Sequence, residues 1–317
     1  MSRLERQLTA ALAVAPRMRD CGPFTVHVLE RIRGEITTLD AIELRCAATR
    51  RRYWVKRYAR ARDAEKEWAF LSHRAPFGGF DLADPAAYLP PPLDAMVSVH
   101  ATGERLDHRL HAQSRRHAIE QDCFDVGRWL AALHRSDAVP LLGAHPTAAI
   151  AHAIEHRLHR VAAKWRVPAS LRRTVLDETE RRLAQTTADG LARVRTHGDF
   201  GPFNIFIDGD AGGGTIIDPS FEPSIDALGN RCARGEDAAR FLTCIEFEEG
   251  LSPPERQDAG RRFLDGYGSS GVDVRTPALT LFRFKYRLQG LIDMWATPIA
   301  DVRRRGVTAM IEGWLAE

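Results

Sequence analysis

The sequence predicts an α+β chain in two lobes, a small N-terminal lobe built on antiparallel strands and a larger, mainly helical lobe after it. Three observations carry this. Within the first 60 residues, three runs with β-strand character follow one another with connections too short for a crossover. After residue 104, apolar residues recur mostly at helical spacing. A single polar stretch, 193–224, breaks that pattern with two short apolar runs around a glycine turn. At 317 residues the chain exceeds the usual size of a single core. With the connector near 100–104, the expected division is 1–101 and 102–317.

Taken in order, MSRLERQLTAALAVAP reads as a short amphipathic helix. Its apolar run is too short to span a bilayer. Glu5 and Gln7 stand where the apolar core of a signal peptide would begin, so the cytoplasm is the expected compartment. FTVHVLERI (24–32) predicts a first strand, and RGEITT follows with Gly34 as its turn residue. LDAIELRCAA (39–48) and RRYWVKRYA (51–59) predict two more strands, the last rich in aromatic and β-branched residues. In 61–74, Asp63 is placed as an N-cap before helically spaced apolar residues. The Pro-, Gly- and Asp-rich stretch 76–92 reads as a loop, and MVSVHA (96–101) as a short apolar strand. In 115–135, Ile119, Cys123, Val126, Leu130 and Leu133 form one buried stripe. Further helices are expected near 150–164, 169–187, 235–248, 254–267, 277–295 and 299–316. IFI (205–207) and TII (215–217) are the strands of the polar hairpin.

Composition excludes several classes. Apolar residues at 44% and charged residues at 27% are ordinary for a folded domain, not a disordered chain. The 45 basic residues are offset by 42 acidic ones. Arg50–Arg52 and Arg303–Arg305 lack any accompanying nucleic-acid-reading motif, so they read as solvated faces. Five cysteines without CxxC spacing indicate neither a zinc site nor a disulfide framework, which fits a reducing compartment.

The chemistry concentrates in HGDFGPFN (197–204). Phosphoryl transfer to a hydroxyl needs a carboxylate to orient the nucleophile and take its proton, and oxygen ligands for Mg²⁺ on the phosphates. Asp199 suits the first task and Asn204, five residues on, the second. Gly201 and Pro202 favour an irregular turn between them. Asp218 follows the apolar pair Ile216–Ile217 past a glycine turn, so a hairpin brings it near Asn204, where both can grip one hard cation. Lys56 on the third strand suits the nucleotide phosphates, with Glu67 on the next helix as its ion-pair partner. Trp54 shares the face of Lys56 by the strand period of two.

These residues resemble the aminoglycoside phosphotransferases and their choline-kinase-like relatives. HGDFGPFN looks like the family's HGDxxxxN catalytic loop, IIDP like its metal-binding segment, and YWVK with EWAFL like the phosphate lysine and its glutamate. WLAALH (129–134) and EDAARFL (236–242) resemble recurrent helix segments, and the order holds over about 24–245. The resemblance implies a protein-kinase-like fold with ATP or GTP between the lobes and a small-molecule hydroxyl acceptor. The charge pattern and hydropathy predict no nucleic-acid partner and no membrane insertion. MVSVHA then becomes the hinge, with the Val99 carbonyl and Ala101 amide as adenine contacts. Trp54 either stacks on the base or belongs to the core. The single glycine of RGEITT and Pro219 after Asp218 depart from protein kinases. The match to ExxxL favours Glu67 over Glu65 as the lysine partner.

Other residues have plainer readings. His197 reads as a structural hydrogen-bonder rather than a base, and Asp237 as a helix-start or loop-bracing residue. Glu246, Glu248 and Glu249 read as a solvated helix end, or as acids that steer a cationic acceptor. The competing functions are a lipopolysaccharide or protein kinase, which Gly198 in place of an HRD-type arginine disfavours, and a non-catalytic nucleotide-binding protein, which the full set Asp199, Asn204 and Asp218 disfavours.

Overall fold

The computed structural model describes residues 3–18, 24–33, 38–46, 49–58, 63–72, 79–111, 116–136, 147–187, 190–209, 213–220, 231–272, 275–293 and 306–317. Helix α1 (Arg3–Val14) precedes strands β1 (Phe24–Arg33), β2 (Thr38–Cys46) and β3 (Arg52–Tyr58), and helix α2 (Asp63–Ser72) follows. Strands β4 (Phe80–Leu82), β5 (Pro85–Leu89) and β6 (Ala95–Val99) complete the N-terminal region. The antiparallel sheet has the order β1-β2-β3-β6-β5. The loop expected over 76–92 is thus partly strand. Pro85 stands first in β5, where a missing N–H is tolerated, and β5 lies at the sheet edge. Gly34 and its expected nucleotide loop lie outside the described residues, as does the start of the helix expected from 299.

The strand period of two sorts this sheet into faces. Ile42, Leu44, Tyr53, Val55, Ala95 and Val97 are buried in one core with Leu8 and Leu12 of α1. Glu43, Trp54, Lys56, Met96 and Ser98 alternate with them and occupy the opposite face.

After β6 come β7 (Glu104–Arg105), α3 (Leu106–His111), α4 (Arg116–Ser136), α5 (Thr147–Trp165) and α6 (Ala169–Gln185). Strand β8 (Arg193–Arg195), a 3₁₀ turn (Pro202–Asn204), β9 (Ile205–Ile207), β10 (Gly214–Ile216) and β11 (Arg231–Ala233) form the polar stretch. Helices α7 (Gly235–Glu246), α8 (Pro253–Gly268), α9 (Pro277–Asp293) and α10 (Val307–Leu315) finish the chain. Helices α4 and α8 pack with little between them. A Cβ on Gly127 would lie 2.1 Å from the Phe263 carbonyl oxygen, and one on Gly266 would lie 1.9 Å from that of Phe124.

A second sheet, β4-β10-β9-β7, ties the two regions together, because β4 pairs in parallel with β10, far along the chain. Phe80 and Leu82 of β4, with Phe70 and Leu71 of α2, belong to the large core that includes Trp129, Phe200, Phe241 and Phe263. The fold is bilobal and protein-kinase-like, as the resemblance implied.

Candidate active site

The site grows from the segment between β8 and β9. Gly198 has φ +82°, and a Cβ there would sit 2.3 Å from the Ser220 carbonyl oxygen, so only glycine fits. The Ser220 amide donates back to the His197 carbonyl at 2.9 Å, which locks the HGD segment against the chain just past Asp218. The stretch read as an irregular turn closes as one 3₁₀ turn with Pro202 at its first position, where no N–H is missed. Its last residue, Asn204, donates through Nδ2 to the Asp199 carbonyl at 2.9 Å and to Asp199 Oδ2 at 3.2 Å. That use of Nδ2 leaves Asn204 Oδ1 as an acceptor.

Hairpin geometry sets Asp218 beside this loop. The Ile217 amide donates to the Asn204 carbonyl at 3.0 Å, so Asp218 begins next to Asn204. Asp218 has φ +60°, the left-handed region, which costs a non-glycine residue about 1–3 kcal/mol. Lys56 Nζ forms ion pairs with Asp218 Oδ1 and with Glu67 Oε1, the latter at 3.0 Å. Glu67 is buried and also accepts from the Tyr58 hydroxyl, whereas Glu65 is exposed. The choice of Glu67 over Glu65 therefore agrees with the geometry. A chain of contacts runs Glu67–Lys56–Asp218 and, through the Ile217–Asn204 backbone bond, to Asn204 and Asp199.

Just past the end of β6, His100 stacks on Trp54 with ring centroids 5.3 Å apart and planes 17° from parallel. Trp54 thus lies on the same sheet face as Lys56, with His100 against its ring. The Val99 amide donates to the Asp84 carbonyl at 2.8 Å, and Ala101 is buried.

Beneath the loop lies Asp237, near the start of α7. Its carboxylate accepts from the backbone N–H of His197 at 2.6 Å and of Gly198 at 2.9 Å. Burial works against its ionisation, but the hydrogen bonds from His134 and from the His197 amide outweigh burial and hold it below the usual carboxylate value. His134 completes the brace, with Nε2 3.4 Å from Asp237 and Nδ1 2.7 Å from the Tyr267 hydroxyl. His197 is not free to act as a base. Its Nδ1 accepts from the Asp199 amide at 3.3 Å, which assigns the proton to Nε2 for donation to the Ile217 carbonyl at 2.8 Å. Burial pushes its pKa down, so the ring is held neutral.

Sequence reasoning missed two residues here. His134 was legible only as the end of WLAALH, and Arg240, within EDAARFL, carried no signal of its own. The Arg240 guanidinium contacts Asp199 Oδ1. Of the acids weighed for steering, Glu246 pairs with Arg283 at 3.0 Å and Arg287 at 2.9 Å, and Glu248 lies 3.1 Å from His111.

The donor set fits a magnesium ion. The Asn204 amide oxygen and the Asp218 carboxylate are hard ligands on adjacent chain segments. No group of three His, Cys, Asp or Glu side chains able to hold a metal occurs among the described residues. Two protein ligands suit an ion that keeps waters and binds substrate phosphates. Among the described residues no helix is long and apolar enough to cross a membrane.

The model of the phosphotransferase enzyme family matches residues 40–221, more than half of the chain. No curated protein matches the sequence significantly. Solved structures share the fold at low identity. A thermostable mutant of aminoglycoside phosphotransferase APH(4)-Ia, in ternary complex with ADP and hygromycin B, superposes with a TM-score of 0.61 at 15% identity, covering 99% of this chain and 97% of that one. A glucosamine kinase in complex with glucosamine, ADP and inorganic phosphate gives 0.57 at 18% identity, covering 98% and 82%. Choline kinase from Cryptosporidium parvum Iowa II gives 0.53 at 13% identity, covering 99% and 100%.

Proposed function

Because the chain belongs to the phosphotransferase enzyme family, we propose that it moves the γ-phosphoryl group of ATP or GTP onto a hydroxyl of a small molecule such as an aminoglycoside-like antibiotic, a sugar or an amino alcohol. The observation that carries this reading is Lys56 held between Glu67 and Asp218, one backbone bond away from the Asn204–Asp199 pair. Lys56 orients the nucleotide phosphates. Asp199 accepts the proton of the attacking hydroxyl as its oxygen bonds to the γ-phosphorus and the β–γ bridging bond breaks. Asn204 and Asp218 hold Mg²⁺, which when bound neutralises phosphate charge. Trp54 and the Val99 and Ala101 backbone take the base at the hinge, dividing the chain into 1–101 and 102–317. The cytoplasm suits this co-substrate and the buried thiols of Cys46, Cys123 and Cys244.

The test is nucleotide turnover with Mg²⁺ over a panel of aminoglycosides, sugars and amino alcohols, comparing wild type with Asp199→Asn. Acceptor-dependent phosphorylation that the variant loses supports the reading and narrows the acceptor. A wild-type protein that neither binds nor turns over Mg-nucleotide overturns it.

A further inference from the structure

Helix α7 reaches the catalytic segment twice from one face. Asp237 and Arg240 are three residues apart, so they lie side by side on the helix surface. Asp237 takes the backbone N–H groups of His197 and Gly198, which fixes where the loop's main chain runs. One turn further, Arg240 meets the Asp199 side chain itself. Asp199 Oδ2 is engaged by Asn204 Nδ2 at 3.2 Å and Oδ1 by the Arg240 guanidinium, so both oxygens are tied and rotation of the carboxylate is fixed. A carboxylate oxygen has two lone pairs, so each can still accept a further hydrogen bond.

Arg240 is itself held. Its guanidinium lies 6.0 Å from the Phe203 ring, inside the catalytic loop, and 5.6 Å from the Tyr286 ring on α9. Tyr286 is anchored by its hydroxyl, which donates to Glu236 at 2.9 Å, and Glu236 in turn pairs with Lys285 at 2.6 Å. Asp199 is 28% exposed at its side chain, and an ion pair that open to water contributes little to folding. What the contact supplies is orientation.

We propose that Arg240 is the positioning residue of Asp199, holding its carboxylate at the rotation that meets the incoming hydroxyl and keeping a positive charge beside it. This rests on the reading of Asp199 as the base. Arg240 acts through Asp199, whereas the lysine assigned to the phosphates, Lys56, is held by Glu67 and Asp218. Its loss therefore falls on turnover and spares nucleotide affinity.

The experiment measures phosphate release from Mg-ATP, with water as acceptor, by the full chain in wild type, Asp199→Asn, Arg240→Gln and Arg240→Lys. Arg240→Gln should lower kcat about tenfold or more with KM for ATP within about twofold, since displacing a reacting group by an ångström costs up to a hundredfold. Arg240→Lys, which keeps the charge but not the planar fork, should recover part of that loss. Melting temperatures should stay within about 3 °C of wild type. With Asp199→Asn inactive, an Arg240→Gln enzyme of wild-type kcat, or one whose defect lies in KM, overturns the positioning role alone. An Arg240→Lys enzyme as slow as Arg240→Gln and equally unstable reduces Arg240 to a folding residue. Asp199→Asn that keeps wild-type hydrolysis overturns the base reading itself.

Discussion

Replacing Asp237 with asparagine tests whether the His197–Gly198–Asp199 segment is held from below by one buried carboxylate. Asp237 is 1% exposed and accepts two backbone N–H groups, at 2.6 and 2.9 Å. Hydrogen bonds to a charged group each contribute about 1.5–3 kcal/mol, and a buried donor left without a partner costs about 1–3 kcal/mol. Asparagine keeps one acceptor oxygen but turns an N–H₂ toward the second backbone donor. It therefore loses one charge-assisted bond outright, weakens the other and orphans an amide. The sum is about 3 kcal/mol, or roughly a 4–5 °C fall in melting temperature for a chain of this size. The pH dependence has a definite sign. The folded-state pKa of Asp237 is depressed below 3.8, so its contribution is complete above the unfolded value and is lost as pH falls through the folded one. The gap between wild type and Asp237→Asn should therefore be flat from about pH 5 to 8 and close below about pH 4. Circular-dichroism melts at neutral and acid pH read both quantities. A variant that melts within about 1 °C of wild type at neutral pH, or a gap that widens toward acid pH, would refute the bracing role.

Three further outcomes are expected. Lys56→Met should weaken Mg-ATP binding about tenfold or more in a fluorescence titration, because no other cation pairs with both Glu67 and Asp218 among the described residues. Lys285 and Glu236 form a buried pair with side chains 2% and 6% exposed, so Glu236→Gln or Lys285→Met should cost about 3–5 kcal/mol in urea denaturation, with the double variant recovering part of it. Gly127→Ala and Gly266→Ala should each destabilise by about 1–3 kcal/mol or more, since the added methyl meets helix backbone at 2.1 and 1.9 Å; unchanged urea midpoints would show that α4 and α8 can separate without loss.

Local patterns were readable where they depend on near neighbours. Strands β1 to β3 and helices α4 to α9 follow from apolar spacing, and Lys56 shares a face with Trp54 because strand side chains alternate. Strand β4 escaped because it is three residues long and is stabilised by pairing with β10, more than 130 residues away. Strand β5 escaped because Pro85 and the prolines from Pro90 resemble a loop until the edge position excuses them. His134 and Asp237 sit in two separate helix segments, and nothing in either predicts that they meet 103 residues apart.

The sequence by itself determined which chemical groups are present and how they are spaced: a carboxylate and an amide five residues apart in a constrained loop, an acid after an apolar strand, a strand lysine and a helix glutamate in family order. Those relations are local, and backbone periodicity with turn chemistry enforces them. Beyond the Lys56–Glu67 pair, only the tertiary structure decided which charges meet. It set Lys56 between Glu67 and Asp218, put Arg240 on Asp199, and buried Asp237 beneath the loop as a brace. The partner of a charge depends on how whole helices and sheets pack, and the burial that makes such a pair matter is a property of the assembled fold.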